Sequence, residues 1–457
     1  MSLTPSQSLR TEFREFLRLA IPLASAQVAQ SATGFVDTII MGRLGSETLA
    51  AGGLAAITFI ALLNTASGVV IGVSPLVAEA YGAGCKARVQ QVARQGLWLS
   101  LIMAIPVMFF LGNIDLLMRQ FGQQATTIAL AKTYLDIMLW GLFPALAFAT
   151  LRSVVSGLSH ARPIMVIVVG GTLFNIAGNY ALGLGKLGFP AMGLRGLAWA
   201  SILSLWGMFL SLVAYTLRHK KLKAYRLFEN LHQLKLPIFR ELVLIGVPIG
   251  VSAALETGLF TVVTYLMGAL GTAVLAAHQI VLQTIIVIFM IPLGISFATT
   301  IRVGQWNGQQ NLAAARQAGY VGICSGVVFM TVMAIALLVF PQQVIGLYID
   351  VRAPENASIL TIIMPMFTIA AVAQILDSVQ KTTSGALYGL KDTRVPMLIS
   401  FCTFWGIGLT TGYLLGFHFG LGGTGLWLGQ SIGVAIAAGV FLWRFHKLSL
   451  SRSYSKF

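Results

Sequence analysis

Charge is scarce in this sequence. Charged residues fill 10% of 457 positions and hydrophobic residues 57%, whereas a soluble domain carries roughly 25% charged residues; a water-soluble globule is excluded. Acids are scarcer still, 14 against 30 Lys and Arg. The resulting +16 would suit nucleic acid if the basic residues formed a patch on a soluble face. They fall between hydrophobic runs instead, so no nucleic-acid partner is expected. Cys85, Cys324 and Cys402 are odd in number and scattered, without CxxC or Cys/His spacing, which argues against a disulfide framework or a zinc site. The six histidines are dispersed. There is no HExxH, no Ser/His pair beside a Gly turn and no Gly-rich phosphate loop before a Lys-Ser/Thr pair. Neither an enzyme, nor a cofactor, nor ATP as an energy source is expected.

What the chain has in abundance is long apolar runs. A helix needs about 20 mostly apolar residues to cross ~30 Å of hydrocarbon, and it must be a helix because lipid cannot satisfy backbone polar groups. Twelve runs qualify: 16–40, 50–78, 93–113, 131–157, 163–185, 193–217, 242–267, 275–301, 316–340, 357–381, 395–416 and 420–445. The polar start with Arg10 and Arg14 is followed by a run too long for a signal peptide's apolar region and lacking a cleavage site, so the first run is expected to stay as a helix. With the N-terminus in the cytoplasm, only Arg43, Arg119, Lys132, Lys186, Arg195 and Arg352 lie outside, which leaves 24 of the 30 basic residues inside. That split satisfies the positive-inside rule with both termini cytoplasmic.

The two halves of the chain repeat each other. Arg14-Glu15, Pro22 and Met41-Gly42-Arg43-Leu44-Gly45 recur as Arg240-Glu241, Pro248 and Met267-Gly268-Ala269-Leu270-Gly271, an offset of 240 − 14 = 226. Further matches follow at shifted offsets: Arg94-Gln95 with Arg316-Gln317, Gly157-Leu158 with Gly389-Leu390, and Arg162-Pro163 with Arg394 before Pro396. Each half holds an even number of spans, so the halves should be related by an axis along the membrane normal, with binding sites within or between them. The expected architecture is an all-α integral membrane protein of twelve transmembrane helices in two pseudo-symmetric six-helix lobes. The lobes are 1–217 and 241–457, joined by a basic cytoplasmic linker, 218–240. Two lobes around a cleft suit a transporter that rocks between inward-open and outward-open states.

Inside the expected spans the acids are few, and three stand out: Asp37, Glu256 and Asp377. Each costs about 2.5–3.5 kcal/mol at mid-helix, so the three together penalise the membrane state by roughly 7–11 kcal/mol, comparable with a domain's whole net stability, unless they face water, partners or a proton. On the first span Gln30, Gly34 and Asp37 share one face with Gln27 a turn away; an acid that merely caps or snorkels at the outer end is the alternative. Asn175 and Asn179, four apart beside Gly171 and Gly178, are able to complete an ion site with Asp37 or simply to bond helix to helix. Glu256 has Ser252 one turn before it, and Asp377 has Gln374 and Gln380 at three-residue spacing. Carboxylate and amide oxygens suit a sodium ion, as they suit other hard cations, and a single carboxylate suffices for a proton. Lys381, four residues after Asp377, is placed for a helix-face ion pair that would neutralise that acid. Gln283 joins Gln30, Gly34 and Gln374 as a polar cavity candidate. Phe260, Phe289, Met290 and Phe367 are apolar candidates for a cavity holding organic cations, with ordinary packing as the alternative for each.

Taken together, Val36-Asp37-Thr38, Met41-Gly42, Leu44-Gly45, Ala276-Ala277-His278-Gln279, Glu256, and Asp377-Ser378-Val379-Gln380 running into Gly385-Ala386-Leu387-Tyr388-Gly389 resemble the multidrug and toxic compound extrusion transporters, in their NorM-like branch. The resemblance spans roughly residues 14 to 445. It implies a V-shaped central cavity between the lobes and export of amphipathic organic cations in exchange for H+ or Na+ by a monomer, surrounded by lipid, in a bacterial inner membrane. It makes Asp37, with Asn175 and Asn179, the proton-coupling group of the first lobe, and Glu256 and Asp377 the second-lobe cation site, with sodium as a possible ion. Lys381 departs from what a sodium site of this family would hold. A lipid-linked precursor flippase of related fold is the alternative, though it would call for basic residues inside the spans.

Overall fold

The computed structural model describes residues 9–120, 123–353 and 356–454. They fold into helices and turns, with no strand among the described residues. Twelve long helices carry the architecture: α1 Leu9–Arg43, α2 Ser46–Gly82, α3 Lys86–Gly112, α4 Ala125–Gly157, α5 Arg162–Gly183, α6 Leu194–Arg218, α7 Leu236–Ala269, α8 Thr272–Gly308, α9 Leu312–Val339, α10 Ala357–Gly389, α11 Arg394–His418 and α12 Gly422–Tyr454. Most overrun the apolar stretches that announced them, because a helix continues into its polar ends.

Eleven of these helices, α2 to α12, are long and apolar enough to cross a membrane. The 35-residue α1 is more polar, since Ser25, Gln27, Gln30, Ser31, Thr33 and Asp37 interrupt its middle. Large apolar side chains such as Ile57, Phe109, Tyr265 and Val328 stand exposed along these helices. Such a surface would be unfavourable in water and is at home against hydrocarbon. The chain is a multi-pass membrane protein.

The sequence repeat has a structural counterpart at the turn after the first helix of each half. Gly45 and Gly271, 271 − 45 = 226 apart, have φ of 123° and 124°, a region closed to side chains with a Cβ. In both places the glycine N–H reaches back three residues, Gly45 to the Gly42 carbonyl and Gly271 to that of Gly268. The repeated Leu-Gly is therefore a turn device rather than part of a site.

The chain divides into two compact units, Ser25–Val251 as one and Met1–Ala24 with Ser252–Phe457 as the other. Each unit thus follows one half of the sequence except over the first turns of α1 and α7, which belong with the opposite half. Within the first unit, Gly68 of α2 faces Gly250 of α7, where an added Cβ would stand 2.7 Å from the Gly250 Cα. Within the second, Gly294 of α8 faces Ala24 of α1, and an added Cβ would stand 2.8 Å from the Ala24 Cβ. These contacts are the same one repeated, since 294 − 68 and 250 − 24 are both 226. Small residues let the helices approach to backbone contact, the usual means of association where lipid removes the hydrophobic drive.

The expected basic linker contains a short helix, Lys220–Lys223, and the segment after it lies along α3. Gln90 donates to the Arg226 carbonyl at 2.8 Å, Trp98 to that of Leu231 at 2.7 Å and Gln95 to that of Gln233 at 3.1 Å.

Candidate functional site

The acids fall into two groups, one in each unit. In the first unit Asp37 is half-buried on the C-terminal half of α1, and the structure brings Asn179 of α5 to it. Asn179 Nδ2 donates to Asp37 Oδ1 at 2.5 Å and to Asn175 Oδ1 at 3.0 Å. Asn175 Nδ2 donates in turn to Ser201 Oγ of α6 at 3.1 Å, and the Ser201 side chain is hydrogen-bonded to Tyr134 of α4. Asn175 and Asn179 are buried at 2% and 0% exposure, so a polar chain runs from one carboxylate into the interior of the unit. Asn179 opens a π-helical turn, Asn179–Gly183. Such widened turns are rare and recur at functional positions, where they redirect a side chain.

The remaining members of the α1 polar face have separate surroundings. Gln27 is buried and accepts from Arg152 Nη1 of α4 at 2.9 Å, while Gln30 and Gly34 are exposed. A Cβ added at Gly34 would meet nothing within 4 Å.

In the second unit Glu256 of α7 and Lys381 of α10 form an ion pair, with Nζ 2.6 Å from Oε2. The sequence placed Lys381 next to Asp377; across the helices its hydrogen-bonded partner is Glu256, with Asp377 within electrostatic reach of both. The ammonium also lies over the Phe289 ring of α8, 5.7 Å from its centroid. Tyr388 is hydrogen-bonded to Ser252 and Ser384 beside the pair. Trp405 of α11 donates to the Leu255 carbonyl at 3.1 Å, which fixes the α7 backbone next to Glu256, and it too comes from a π-helical stretch, Phe401–Gly408.

Gln374 is buried, with its Oε1 unpartnered among the described residues. Phe260, Gln283, Phe289 and Met290 are half-buried. Phe367 is 3% exposed inside the apolar core with Leu259, Val263 and Met366, so its ring has no open face. Among the described residues no group of three His, Cys, Asp or Glu is arranged to hold a metal.

Sequence reasoning did not single out Ser201 and Tyr134, which belong to the first group, or Glu12, which forms a separate buried pair. Ser201 and Tyr134 sit in apolar runs with no pattern to mark them. Glu12 lies before the first run, yet it is 2% exposed and accepts from Arg302 of α8 through both carboxylate oxygens, at 2.8 and 2.5 Å.

Comparison with known proteins adds a family. The protein-family model described as MatE matches residues 22–181 and again 248–414, its two starts separated by 248 − 22 = 226, the interval of the repeat. The chain is 54% identical over 444 residues to a protein of Synechocystis sp. named "Probable multidrug resistance protein NorM", covering 97% of this chain and 96% of that one. It is 38% identical over 430 residues to the "Multidrug resistance protein NorM" of Burkholderia vietnamiensis, covering 94% and 92%. Among solved structures it is similar to the outward-facing conformation of a multidrug resistance MATE family transporter of the MOP superfamily, with a TM-score of 0.89, 23% identity and full coverage of both chains. It is also similar to a crystal structure of MATE in the bent conformation, with a TM-score of 0.86, 24% identity and coverage of 99% and 100%. At such identities these neighbours establish the fold.

Proposed function

The chain belongs to the multidrug and toxic compound extrusion family, and from that premise we propose that it is a multidrug efflux transporter, exporting amphipathic organic cations by alternating access in exchange for H+ or Na+. In this reading residues 1–217 and 241–457 are the moving lobes, 218–240 joins them, and both termini face the cytoplasm of a bacterial inner membrane. The names of its relatives support efflux of drugs, and the acids within helices support a cationic cargo over an anionic one.

The observation that carries the reading is the contact of Asp37 with Asn179. A carboxylate within a membrane helix is costly, and this one sits at the end of a polar chain, Asn179 to Asn175 to Ser201, that leads nowhere apolar. It is a place to hold a proton or an ion. A coupling ion arriving from outside neutralises the acid, and the substrate cation is then held less well. This competition is reciprocal, so bound substrate lowers affinity for the ion by the same factor. An exchange that moves one net charge through 100 mV gains about 2.3 kcal/mol, and a one-for-one exchange of cations is driven by the concentration gradient of the coupling ion, in either case without ATP.

The test is transport of a lipophilic cation such as tetraphenylphosphonium in proteoliposomes under imposed pH or sodium gradients. Wild type is expected to transport under at least one gradient, and Asp37→Asn to lose at least ~10-fold in rate, the lower end of what a hydrogen bond to a charged group is worth. Undiminished gradient-driven transport in Asp37→Asn, Glu256→Gln and Asp377→Asn alike would overturn the proposal.

A further inference from the structure

Two acids on neighbouring helices of one unit, Glu256 and Asp377, are the kind of pair that draws a hard cation from solution, because such ions prefer oxygen ligands and several of them. In this chain a cation is already built into the pair. Lys381 Nζ is 2.6 Å from Glu256 Oε2, Asp377 stands one helical turn before it on α10, and the ring of Phe289 covers the ammonium from α8 at 5.7 Å. The turn that carries the lysine is itself fixed: its backbone carbonyl accepts from Ser296 Oγ and from Ser384 Oγ, both at 2.8 Å. The lysine is therefore seated by three helices and is no wandering surface side chain. Its side chain and that of Glu256 are 20% and 25% exposed.

We infer that Lys381 is a tethered cation and the specificity-determining residue of the second unit: its ammonium takes the place a sodium ion would need between Glu256 and Asp377, so this unit binds no sodium. The charges state the consequence. Two carboxylates and one ammonium leave a single net negative charge, and a sodium ion reaching Glu256 would meet a like charge at ionic-contact distance, where repulsion in a half-buried site is far stronger than in water. It would also find one of the Glu256 oxygens engaged. Coupling in this chain then falls to Asp37, where a single carboxylate suffices for a proton, a consequence that rests on the export reading above; the exclusion of sodium from this unit does not.

The experiment reads sodium binding without any drug. Thermal unfolding midpoints of the purified full chain in detergent are measured in NaCl against choline chloride at equal ionic strength, for wild type, Lys381→Arg, Lys381→Met and the double variant Lys381→Met with Glu256→Gln. Ligand binding to the folded state raises the midpoint by mass action. Wild type and Lys381→Arg, both with a tethered cation, are expected to give the same midpoint in the two salts. Lys381→Met is expected to gain a saturable sodium-specific rise that wild type lacks, since a like charge at contact distance has been removed, and the double variant to lose it. A sodium-specific rise in wild type, or its absence in folded Lys381→Met, overturns the assignment; if Lys381→Met does not fold, Lys381→Gln is measured in its place against the same outcomes. In proteoliposomes wild type is expected to export equally well with sodium or choline outside at a fixed pH gradient. Failure of export in every protein, with the midpoints behaving as expected, would refute the function and leave the role of Lys381 standing.

Discussion

Asn179 donates to Asp37 across 2.5 Å, and the bonds behind it run the other way, from Asn179 into the interior of the unit. Asn175 receives from Asn179 and gives to Ser201. The arrangement stabilises the ionised acid. The amide has a second use, because its Oδ1 has no partner among the described residues. Once Asp37 takes up a proton it becomes a donor, and a turn of the Asn179 amide presents an acceptor to it. One asparagine thereby serves both protonation states, which neither an apolar residue nor a second carboxylate does.

The first prediction concerns that asparagine. Asn179→Ala removes the only side-chain donor on Asp37 among the described residues and leaves Asn175 Oδ1 without its bond from Asn179. The expected result is a loss of ~10-fold or more in the initial rate of pH-gradient-driven export, since a hydrogen bond to a charged group contributes ~1.5–3 kcal/mol, with near-normal folding. Asn179→Leu, of similar volume, should behave alike. Export rates in either variant equal to wild type would remove Asn179 from the mechanism.

Much of this was legible in the sequence, for a physical reason: lipid permits only helices, and a helix that spans it must be apolar for about 20 residues. The acids stood out against that background, and so did the repeat. What was not legible is what crosses between helices. Lys381 has Asp377 four residues before it, and spacing alone can suggest only that pair; α7 brings in Glu256 from 125 residues away. Ser201 and Tyr134 carry no periodic signal, and their part depends on how α4, α5 and α6 pack. Nor does any local pattern say that residues 9–24 pack with the second half of the chain rather than the first. That follows from the glycine contacts, whose partners lie far apart in sequence.

Those contacts give the second prediction. At Gly68 a methyl group would meet backbone, the Gly250 Cα at 2.7 Å, which no rotamer change relieves. Gly68→Ala is expected to destabilise the protein by about 1–3 kcal/mol through forced helix separation and to lower its thermal midpoint in detergent. Gly34→Ala is the control. That glycine has open space beside it, and alanine favours a helix by up to ~1 kcal/mol, so the midpoint should hold or rise. Equal effects at the two sites would contradict the backbone contact at the crossing.

The third prediction turns on Glu12, whose burial is the least expected feature of α1. Arg302 donates to both of its oxygens, and Trp306 Nε1 adds a third bond at 3.1 Å, while the remaining guanidinium nitrogen Nη1 bonds Gln305 Oε1 at 3.0 Å. The guanidinium also lies 5.6 Å from the centre of the Trp306 ring. Such a pair contributes little net stability if both charges are replaced together, because desolvation offsets the attraction, but removing one partner strands the other in the interior. Glu12→Ala is therefore expected to cost about 3–5 kcal/mol, whereas Glu12→Leu combined with Arg302→Met should recover most of the loss. Thermal midpoints of wild type, Glu12→Leu, Arg302→Met and the double variant form a cycle that isolates the coupling. A coupling near zero would mean that Glu12 does not hold the first turns of α1 against α8, and that the apolar and small-residue contacts around Ala24 and Gly294 suffice to keep them there.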